Sequence, residues 1–260
     1  MILDTLAGAA RERTAEDKEN VSEEEMRDRA LGMGRGDFAF EKALGADGMS
    51  FICEVKKASP SKGVIAEDFP YVEIAVEYEG AGAAAISVLT EPKYFLGCDR
   101  YLTDIKSAAT IPVLRKDFTV DSYQIYQAKT LGADAVLLIC ALLDTDTLRE
   151  YIGVCDKLGI SALVEAHTEL EVHSALEAGA RVVGVNNRDL KTFEVDISIC
   201  ERLRELVPYD RLFVAESGIK TPDDTERLNR AGVDAVLIGE TLMRCSDRAS
   251  ALARLRPPFF

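Results

Sequence analysis

Glu54 and Lys56 have the types and spacing of an acid–base pair. The segment 49–55 carries apolar residues on both faces, as a buried parallel strand requires. Because side chains alternate along a strand, Glu54 and Lys56 project from one face and Cys53 and Val55 from the other. An acid and a base therefore leave this strand side by side, either as reacting groups or as an ordinary ion pair at the solvent edge.

The loop after this strand has the composition of an anion site. Residues 59–63 read Ser-Pro-Ser-Lys-Gly, and hydroxyl groups, a cation and a glycine together suit the binding of phosphate. A charge pair and an anion loop at the C-terminal end of a strand predict the active site of a parallel α/β enzyme.

From residue 49 onward, strand-like and helix-like segments alternate. The predicted strands are 49–55, 83–89, 111–115, 135–139, 161–164, 182–185, 212–215 and 235–238. The predicted helices are 70–79, 99–108, 122–131, 144–158, 169–177, 197–206, 222–230 and 242–255. Near-identical segments at 132–136 and 232–236 indicate one reused βα unit. Eight strand–helix units predict an α/β fold, a (β/α)8 TIM barrel. An open doubly wound sheet is the alternative, since spacing cannot prove closure.

Residues 1–48 differ in composition from the rest. They are crowded with charge and carry spaced apolar residues, which predicts amphipathic helices with a mostly solvated surface. Asp37 is expected to open a short helix, and Phe38 and Phe40 to cover part of the following domain. We therefore expect an N-terminal helical extension, 1–48, on a barrel catalytic domain, 49–260.

The composition excludes several classes of function. A net charge of −14 argues against nucleic acid, and no apolar run approaches the ~18 residues of a membrane span. Widely spaced cysteines and the lack of a signal-peptide pattern indicate a cytoplasmic protein with reduced thiols. His167 and His173 lack ligand-like company, so no metal site is expected. An anionic substrate would need a local cluster of Lys and Arg.

In a barrel, the strand C-termini open onto one face, where chemistry is expected. Polar residues follow all the predicted strands except the fourth; they include Glu54 and Lys56, Ser87 and Thr90, Lys116 and Asp117, Glu165, Asn186 and Arg188, Glu216 and Ser217, and Gly239 and Glu240. The fourth strand ends in Leu-Leu-Ile at 137–139, which predicts an apolar wall. This distribution favours an active site at the rim.

Two glycine turns follow the last two strands, at Ser217-Gly218 and Gly239-Glu240. In barrels these positions form the usual phosphate site, where backbone N–H groups and a helix N-terminus face the anion. A side chain there would prevent close approach of the backbone. Either turn alone is common and could have no function, whereas the pair favours a phosphate site.

Two lysines and three glutamates are candidates for acid–base chemistry. Lys56 and Lys116 are candidate acids, and cations crowding Lys116 in a dry pocket would lower its pKa. We therefore expect Lys116 to set the basic limb of the pH–rate profile. Glu54 and Glu165 are candidate bases or lysine partners. For Glu216 a structural ion pair is the favoured interpretation.

Seven segments, in this order, resemble the indole-3-glycerol-phosphate synthase family of tryptophan biosynthesis. They are EVKKASPSKG at 54–63, SVLTEPKYF at 87–95, VLRKDF at 113–118, LVE at 163–165, GVNNRDL at 184–190, AESGI at 215–219 and IGETLM at 238–243. That family also has a helical extension before its first strand. The resemblance implies a lyase that closes the ring of 1-(2-carboxyphenylamino)-1-deoxyribulose 5-phosphate, with loss of CO₂ and water and without a cofactor.

The resemblance also implies roles for catalytic residues. Lys116 would be the general acid that polarises the ketone, and Glu165 the acid/base group of the dehydration. Lys56 would be a second acid near the substrate carboxylate, and Glu54 would orient a lysine. Which lysine protonates at which step stays open. The remaining catalytic residues implied are Asn186, near the anthranilate moiety, and Ser217.

Substrate-binding residues are implied by the same resemblance. The phosphate would be held by Ser59, Gly218, Gly239 and the amide of Glu240. Some members have serine at position 240, which puts a side-chain contact there in doubt. The aromatic ring and its carboxylate would contact Phe95, Phe118, Leu137, Arg188 and Leu190, and Glu216 is expected to join the substrate-binding set.

Two other functions compete with the synthase. A sugar-phosphate isomerase with the same barrel would not need the cations Lys56, Lys116 and Arg188. A catalytically inactive phosphate-binding protein would keep the glycine turns but lose the acids and bases, and all of them are present. The residues do not decide the oligomeric state, for which a monomer is the expectation.

Overall fold

The computed structural model describes residues 2–189 and 192–257, and at its centre lies a closed barrel of eight parallel strands. In chain order the barrel strands are Ser50–Val55, Ala85–Leu89, Val113–Lys116, Ala135–Ile139, Ser161–Ala166, Val182–Asn186, Leu212–Glu216 and Ala235–Ile238. The first strand pairs with both the second and the eighth. The predicted barrel is therefore confirmed, and the open sheet is wrong.

Helices cover the barrel and precede it. Before the first strand lie α1 Ile2–Asn20, α2 Glu23–Gly32 and α3 Ala39–Leu44. Between and after the strands lie α4 Tyr71–Gly80, α5 Asp99–Ala108, α6 Ser122–Thr130, α7 Thr145–Leu158, α8 Glu169–Glu177, α9 Ser198–Arg204, α10 Pro222–Arg230, α11 Glu240–Met243 and α12 Arg248–Leu255. A short hairpin, Ala58–Ser59 with Gly63–Val64, follows the first strand. No helix of these ranges is long and apolar enough to cross a membrane.

Two helix predictions were wrong at their boundaries. The segment 242–255 forms two helices rather than one, because the carboxylate of Asp247 accepts a hydrogen bond from the amide of Ser250 and starts α12 anew. Asp37 does not cap α3; its carboxylate instead pairs with Lys42. Phe38 occupies the N-cap position of α3. Its backbone is left-handed, and its side chain makes no capping hydrogen bond.

The strands separate two hydrophobic clusters, as their alternation predicts. Ile52 lies in the cluster inside the barrel, whereas Cys53 and Val55 lie in the cluster between the strands and the helices. Phe40 and Leu44 of α3 join the inner cluster and close it from below. Glu54 lies two residues beyond Ile52 on the same face, and it consequently points to the open end of the barrel.

The repeated sequence segments have the same structural role. Asp134 accepts a hydrogen bond at its carboxylate from the amide of Val113, and Asp234 accepts one in the same way from Phe213. Each aspartate amide also donates to the carbonyl of that same residue, at 2.8 and 3.0 Å. The repeated Asp therefore joins each strand to the one before it.

The helix α1 lies partly over the open end of the barrel. Its outward face is exposed, as expected, but Leu3, Leu6 and Ala10 are buried. An ion pair joins Arg13 to the buried Asp117, with Nη2 and Oδ1 2.7 Å apart. The extension is thus packed onto the loop that follows the third strand.

Candidate active site

A cavity of about 760 Å³ opens at the C-terminal ends of the strands. The predicted site residues that line it are Glu54, Lys56, Ser59, Phe95, Lys116, Phe118, Leu137, Glu165, Asn186, Arg188, Glu216, Ser217, Gly218, Gly239 and Glu240. Leu190 was also predicted, but it lies outside the described residues. Residues from remote parts of the chain are therefore brought together as the sequence predicted.

Lys116 lies at the centre of a buried charge cluster. Its Nζ is 3.6 Å from Oε2 of Glu216 and 3.8 Å from Oε2 of Glu165. Burial lowers the pKa of this lysine, but Glu216, Glu165 and Glu54 together outweigh burial and raise it above its ordinary value. The side chain is consequently an ammonium at neutral pH.

The prediction of a lowered pKa for Lys116 was wrong, which removes the reason for assigning the basic limb of the pH–rate profile to this lysine. Arg115 is its neighbour in sequence, yet it projects from the other face of the strand. There its Nη2 lies 2.9 Å from Oδ1 of Asp99. Alternation along the strand separates the two cations, and the groups facing Lys116 are carboxylates.

Glu54 and Lys56, which the sequence placed side by side on the first strand, are paired, with Oε1 and Nζ 2.5 Å apart. Burial raises the pKa of Glu54, but Lys56 and then Lys116 outweigh it, so the pKa is lowered. Gly239 packs directly against this pair, since a Cβ added there would collide with the carboxylate of Glu54 and lie 2.9 Å from Nζ of Lys56. The lack of a side chain at Gly239 therefore leaves room for the ion pair.

Asn186 and His167 lie on either side of the Glu165 carboxylate. Nδ2 of Asn186 donates to its Oε2 at 3.2 Å, and Nε2 of His167 lies 3.6 Å from its Oε1. Sequence reasoning did not single out His167, although Glu165 precedes it by two residues and Glu171 follows it by four. The end of a strand and the start of a helix turn both carboxylates towards its ring.

Glu216 is the most perturbed carboxylate in the cavity wall. Burial, followed by repulsion from Glu165, raises its pKa to about 8, although Lys116 acts in the opposite direction. Its Oε1 is buried and has no hydrogen-bond partner among the described residues. Gly184 on the neighbouring strand gives this atom space, because an added Cβ would lie 2.5 Å from it. Glu216 contacts Lys116, as the ion-pair interpretation held, and it also lines the cavity.

Glu216→Gln is expected to change how stability depends on pH. The folded protein favours protonated Glu216, so its stability falls as pH rises from the ordinary value of 4.5 through about 8. The neutral amide lacks this loss. Urea unfolding at pH 5 and pH 9 should show the variant gaining ~2–4 kcal/mol on the wild type between the two. An equal difference at both values, or the same gain in exposed Glu150→Gln, would contradict the assignment.

The end of the cavity at which the phosphate site was predicted is built from turns. Ser217 and Gly218 both have left-handed backbones, with φ of 66° and 86°. A side chain at Gly218 would collide with Cγ1 of Val195. The carboxylate of Glu240 faces cations instead of the cavity centre, with Oε1 3.1 Å from Nε of Arg244. Its amide opens α11 and so has no partner within that helix.

The opposite end is apolar. The rings of Phe95 and Phe118 lie 6.1 Å apart, and Leu137 and Ile139 form the predicted wall of the fourth strand. Arg188 lines the cavity beside Asn186, to whose Oδ1 its amide donates at 3.1 Å. This end of the cavity therefore presents an apolar surface.

Sequence reasoning missed two kinds of lining or supporting residue. Ile2, Leu3 and Leu6 of α1 line the cavity; their apolar spacing predicted a helix but not its position. Asn187 is fully buried and donates from Nδ2 to the carbonyl of Ser217 at 3.1 Å. It thereby holds the turn after the seventh strand.

This fold, with a charged cavity at the strand C-termini, defines a (β/α)8-barrel enzyme. The family model described as indole-3-glycerol phosphate synthase matches residues 3–255. The chain is 61% identical over 257 residues to the indole-3-glycerol phosphate synthase of Ruminiclostridium cellulolyticum, covering 98% of this chain and 99% of that protein. It is 54% identical to the one of Endomicrobium trichonymphae, covering 98% and 100%. This chain belongs to the indole-3-glycerol phosphate synthase family.

Solved structures support the fold independently. A 3-hexulose-6-phosphate synthase superposes with a TM-score of 0.63, covering 80% of this chain and 98% of that one, at 17% sequence identity. A thiamine phosphate pyrophosphorylase from Pyrococcus furiosus superposes with a TM-score of 0.61, covering 83% and 95%, at 16% identity. At such identities the likeness concerns the barrel alone.

Proposed function

We propose that this protein closes the indole ring of 1-(2-carboxyphenylamino)-1-deoxyribulose 5-phosphate to give indole-3-glycerol phosphate, CO₂ and water, in tryptophan biosynthesis. The observation that carries the proposal is the buried ammonium of Lys116 among Glu54, Glu165 and Glu216, between the glycine turns at one end of the cavity and the apolar wall at the other. Membership of the synthase family supports it and weighs against the isomerase.

Lys116 is the proposed general acid for ring closure. The aromatic carbon that carries the carboxylate attacks the ketone, and negative charge develops on the ketone oxygen. A buried ammonium stabilises that charge strongly and supplies the proton. The raised pKa of Lys116 keeps it protonated at neutral pH, so the acid is present in its active form when substrate binds.

Lys56 and Glu165 serve the other end of the reaction in this proposal. Lys56, held by Glu54, faces the substrate carboxylate and acts as the second acid. Glu165 accepts the proton that must leave when water is eliminated. Asn186 donates to Glu165 and so orients its free oxygen, and Arg188 pairs with the anthranilate carboxylate. Which lysine protonates the departing hydroxyl is a question for single variants.

The phosphate lies, in this proposal, against Ser59, the turn at Ser217 and Gly218, and the amides at Gly239 and Glu240. The left-handed turn supports this placement because it turns consecutive backbone amides to one side. Because the chain as a whole has a net charge of −14, a phosphorylated anion can bind only where cations are concentrated locally, as they are at this end of the cavity. No side-chain role is assigned to Glu240, since its carboxylate pairs with Arg244.

Gly239→Val is expected to weaken phosphate binding and turnover together. The added side chain would reach the phosphate position and would also collide with the carboxylate of Glu54. Competitive inhibition by inorganic phosphate should weaken ~10-fold or more, because a buried hydrogen bond to a charged group contributes about 1.5–3 kcal/mol. Gly153→Val, at an open surface position, is the control. Equal phosphate inhibition constants in wild type and Gly239→Val would place the phosphate elsewhere.

We extend the proposal to the rest of the molecule. Residues 1–48 form a helical extension that covers the mouth of a barrel domain, 49–260, and α1 supplies Ile2, Leu3 and Leu6 to its lining. One chain provides every proposed group, so the protein acts as a monomer. Its free cysteines suit the reducing cytoplasm. Light scattering at assay concentrations tests the monomer directly.

Fluorescence tests the proposed function. The product contains an indole, and the chain contains no tryptophan, so product emission is visible without a protein background. Mixing wild type with the anilino-deoxyribulose phosphate should give the indole product, detected by its emission, and CO₂ in equal molar amounts. Binding of the substrate without either product would favour the inactive phosphate-binding protein instead.

A further inference from the structure

The segment between the second strand and α5 forms a turn at the rim of the cavity, with Glu91 at its start. Phe95, on the far side of this turn, lines the cavity, whereas Glu91 does not. Glu91 is nevertheless completely buried. A carboxylate is rarely buried to this extent without partners, because the loss of hydration costs free energy. The hydrogen bonds that offset this cost show what the side chain does.

Three consecutive backbone amides donate hydrogen bonds to the carboxylate of Glu91. The amide of Lys93 donates to Oε1 at 3.0 Å, and the amides of Tyr94 and Phe95 donate to Oε2 at 2.7 and 3.0 Å. The carbonyl of Glu91 also accepts a hydrogen bond from the amide of Gly97 at 2.8 Å. Hydrogen bonds to an ionised group are stronger than those between neutral groups. Glu91 therefore fixes the backbone on both sides of Phe95.

The turn that Glu91 holds has a demanding backbone conformation. Leu96, which follows Phe95, is left-handed with φ of 52°, and a residue with a bulky side chain keeps this conformation only when its surroundings enforce it. Gly97 has no room for a side chain, because an added Cβ would collide with the carbonyl of Leu89. The backbone around Phe95 would consequently relax if the hydrogen bonds to Glu91 were weakened.

The neighbouring ring, that of Phe118, is held in a similar way. Its amide donates at 2.8 Å to Oδ1 of the buried Asp117, whose Oδ2 accepts a hydrogen bond from the hydroxyl of Thr90 at 2.6 Å. Thr90 immediately precedes Glu91, so the two turns are joined at this point. The rings of Phe95 and Phe118 lie 6.1 Å apart. Their relative position thus depends on two buried carboxylates behind the cavity wall.

We infer that Glu91 is a positioning residue, which sets the place of the Phe95 ring and thereby the affinity of the cavity for the aromatic end of the substrate. The inference rests on the proposed function, in which this ring contacts the anthranilate moiety. Glu91 touches no reacting atom. Its loss should therefore remove binding that is equal in the bound substrate and in the transition state, which raises KM and leaves kcat unchanged.

Glu91→Gln tests this inference with the least change in shape. The amide keeps one acceptor oxygen but places an NH₂ group opposite at least one backbone amide, so the turn loses a hydrogen bond. The KM for the anilino-deoxyribulose phosphate should rise ~10-fold, as expected for the loss of a hydrogen bond to a charged group, and kcat should stay unchanged. The dissociation constant of 2-aminobenzoate, followed by its own fluorescence, should rise equally. Calorimetry should show unchanged binding of inorganic phosphate.

A double-mutant cycle separates the positioning of Phe95 from general support of the fold. Phe95→Ala should itself weaken the binding of 2-aminobenzoate, and adding Glu91→Gln should cause no further loss, because the positioned ring is already absent. Gly97→Ala strains the same turn without changing the carboxylate. It should weaken 2-aminobenzoate binding and leave phosphate binding intact. Glu73→Gln, at an exposed position of α4, is the control and should match wild type in every measurement.

Other results would overturn the inference. Unchanged binding of 2-aminobenzoate by a folded Glu91→Gln protein would mean that the turn holds Phe95 without the carboxylate. Equal weakening of 2-aminobenzoate and phosphate binding, or an added loss in the Phe95→Ala background, would mean that Glu91 supports the fold and not this ring. The binding measurements need no turnover. A wild type that binds 2-aminobenzoate but forms no indole would therefore contradict the proposed function and leave the role of Glu91 in place.

Discussion

Lys116→Ala is expected to fold normally and to lose at least ~10²–10⁴-fold in turnover. Removal of a general acid alone costs this much, and loss of the buried positive charge opposite the developing oxyanion adds to it. The charge cluster makes the effect specific, because Glu165 and Glu216 lie 3.8 and 3.6 Å from this ammonium. Indole emission at saturating substrate measures the loss, and circular dichroism checks the fold.

Two further variants sharpen this prediction. Lys116→Arg keeps the charge but not the position or acidity of the donor, and it should remain at least ~10²-fold slower than wild type. Lys157→Ala, on the exposed face of α7, should be fully active. A folded Lys116→Ala protein with more than a tenth of wild-type turnover would remove the role proposed for this lysine.

Glu165→Gln is the second variant for which we expect a large loss, ~10²–10⁴-fold in kcat. The amide oxygen still accepts the hydrogen bond that Nδ2 of Asn186 gives to Oε2, so the geometry is kept and the proton acceptor is lost. The loss should appear with enzyme in excess, because the base acts within the first turnover.

The control for this prediction is Glu169→Gln, an exposed carboxylate at the start of α8. It should retain wild-type kcat and single-turnover rate. If Glu165→Gln instead turns over once at the wild-type rate, Glu165 serves only to reprotonate the site. The dehydration step would then need another base.

Local patterns predicted the elements and much of the site. Turn residues and alternation are properties of short segments, so the strands, most helices and the shared face of Glu54 and Lys56 were predictable from sequence. Closure of the barrel requires the pairing of the first and eighth strands. These two strands are adjacent in space but far apart in the sequence. Only the fold could show that pairing.

Electrostatics could not be predicted from neighbours in sequence. Arg115 adjoins Lys116 but faces away from it, whereas Glu54, Glu165 and Glu216 come from three other strands and surround it. The direction of the pKa shift that the sequence predicted for Lys116 was therefore wrong. A charge interaction falls off with distance in space, and adjacent residues of a strand project to opposite faces.

Motifs and local geometry were sufficient to identify the family, the βα units and the residues at the strand ends, because each of these is a property of a short segment. The folded chain alone shows which charges meet and that α1 lines the cavity. Those properties depend on distances between segments remote in the chain. Such distances exist only once the barrel has closed and the helices have packed around it.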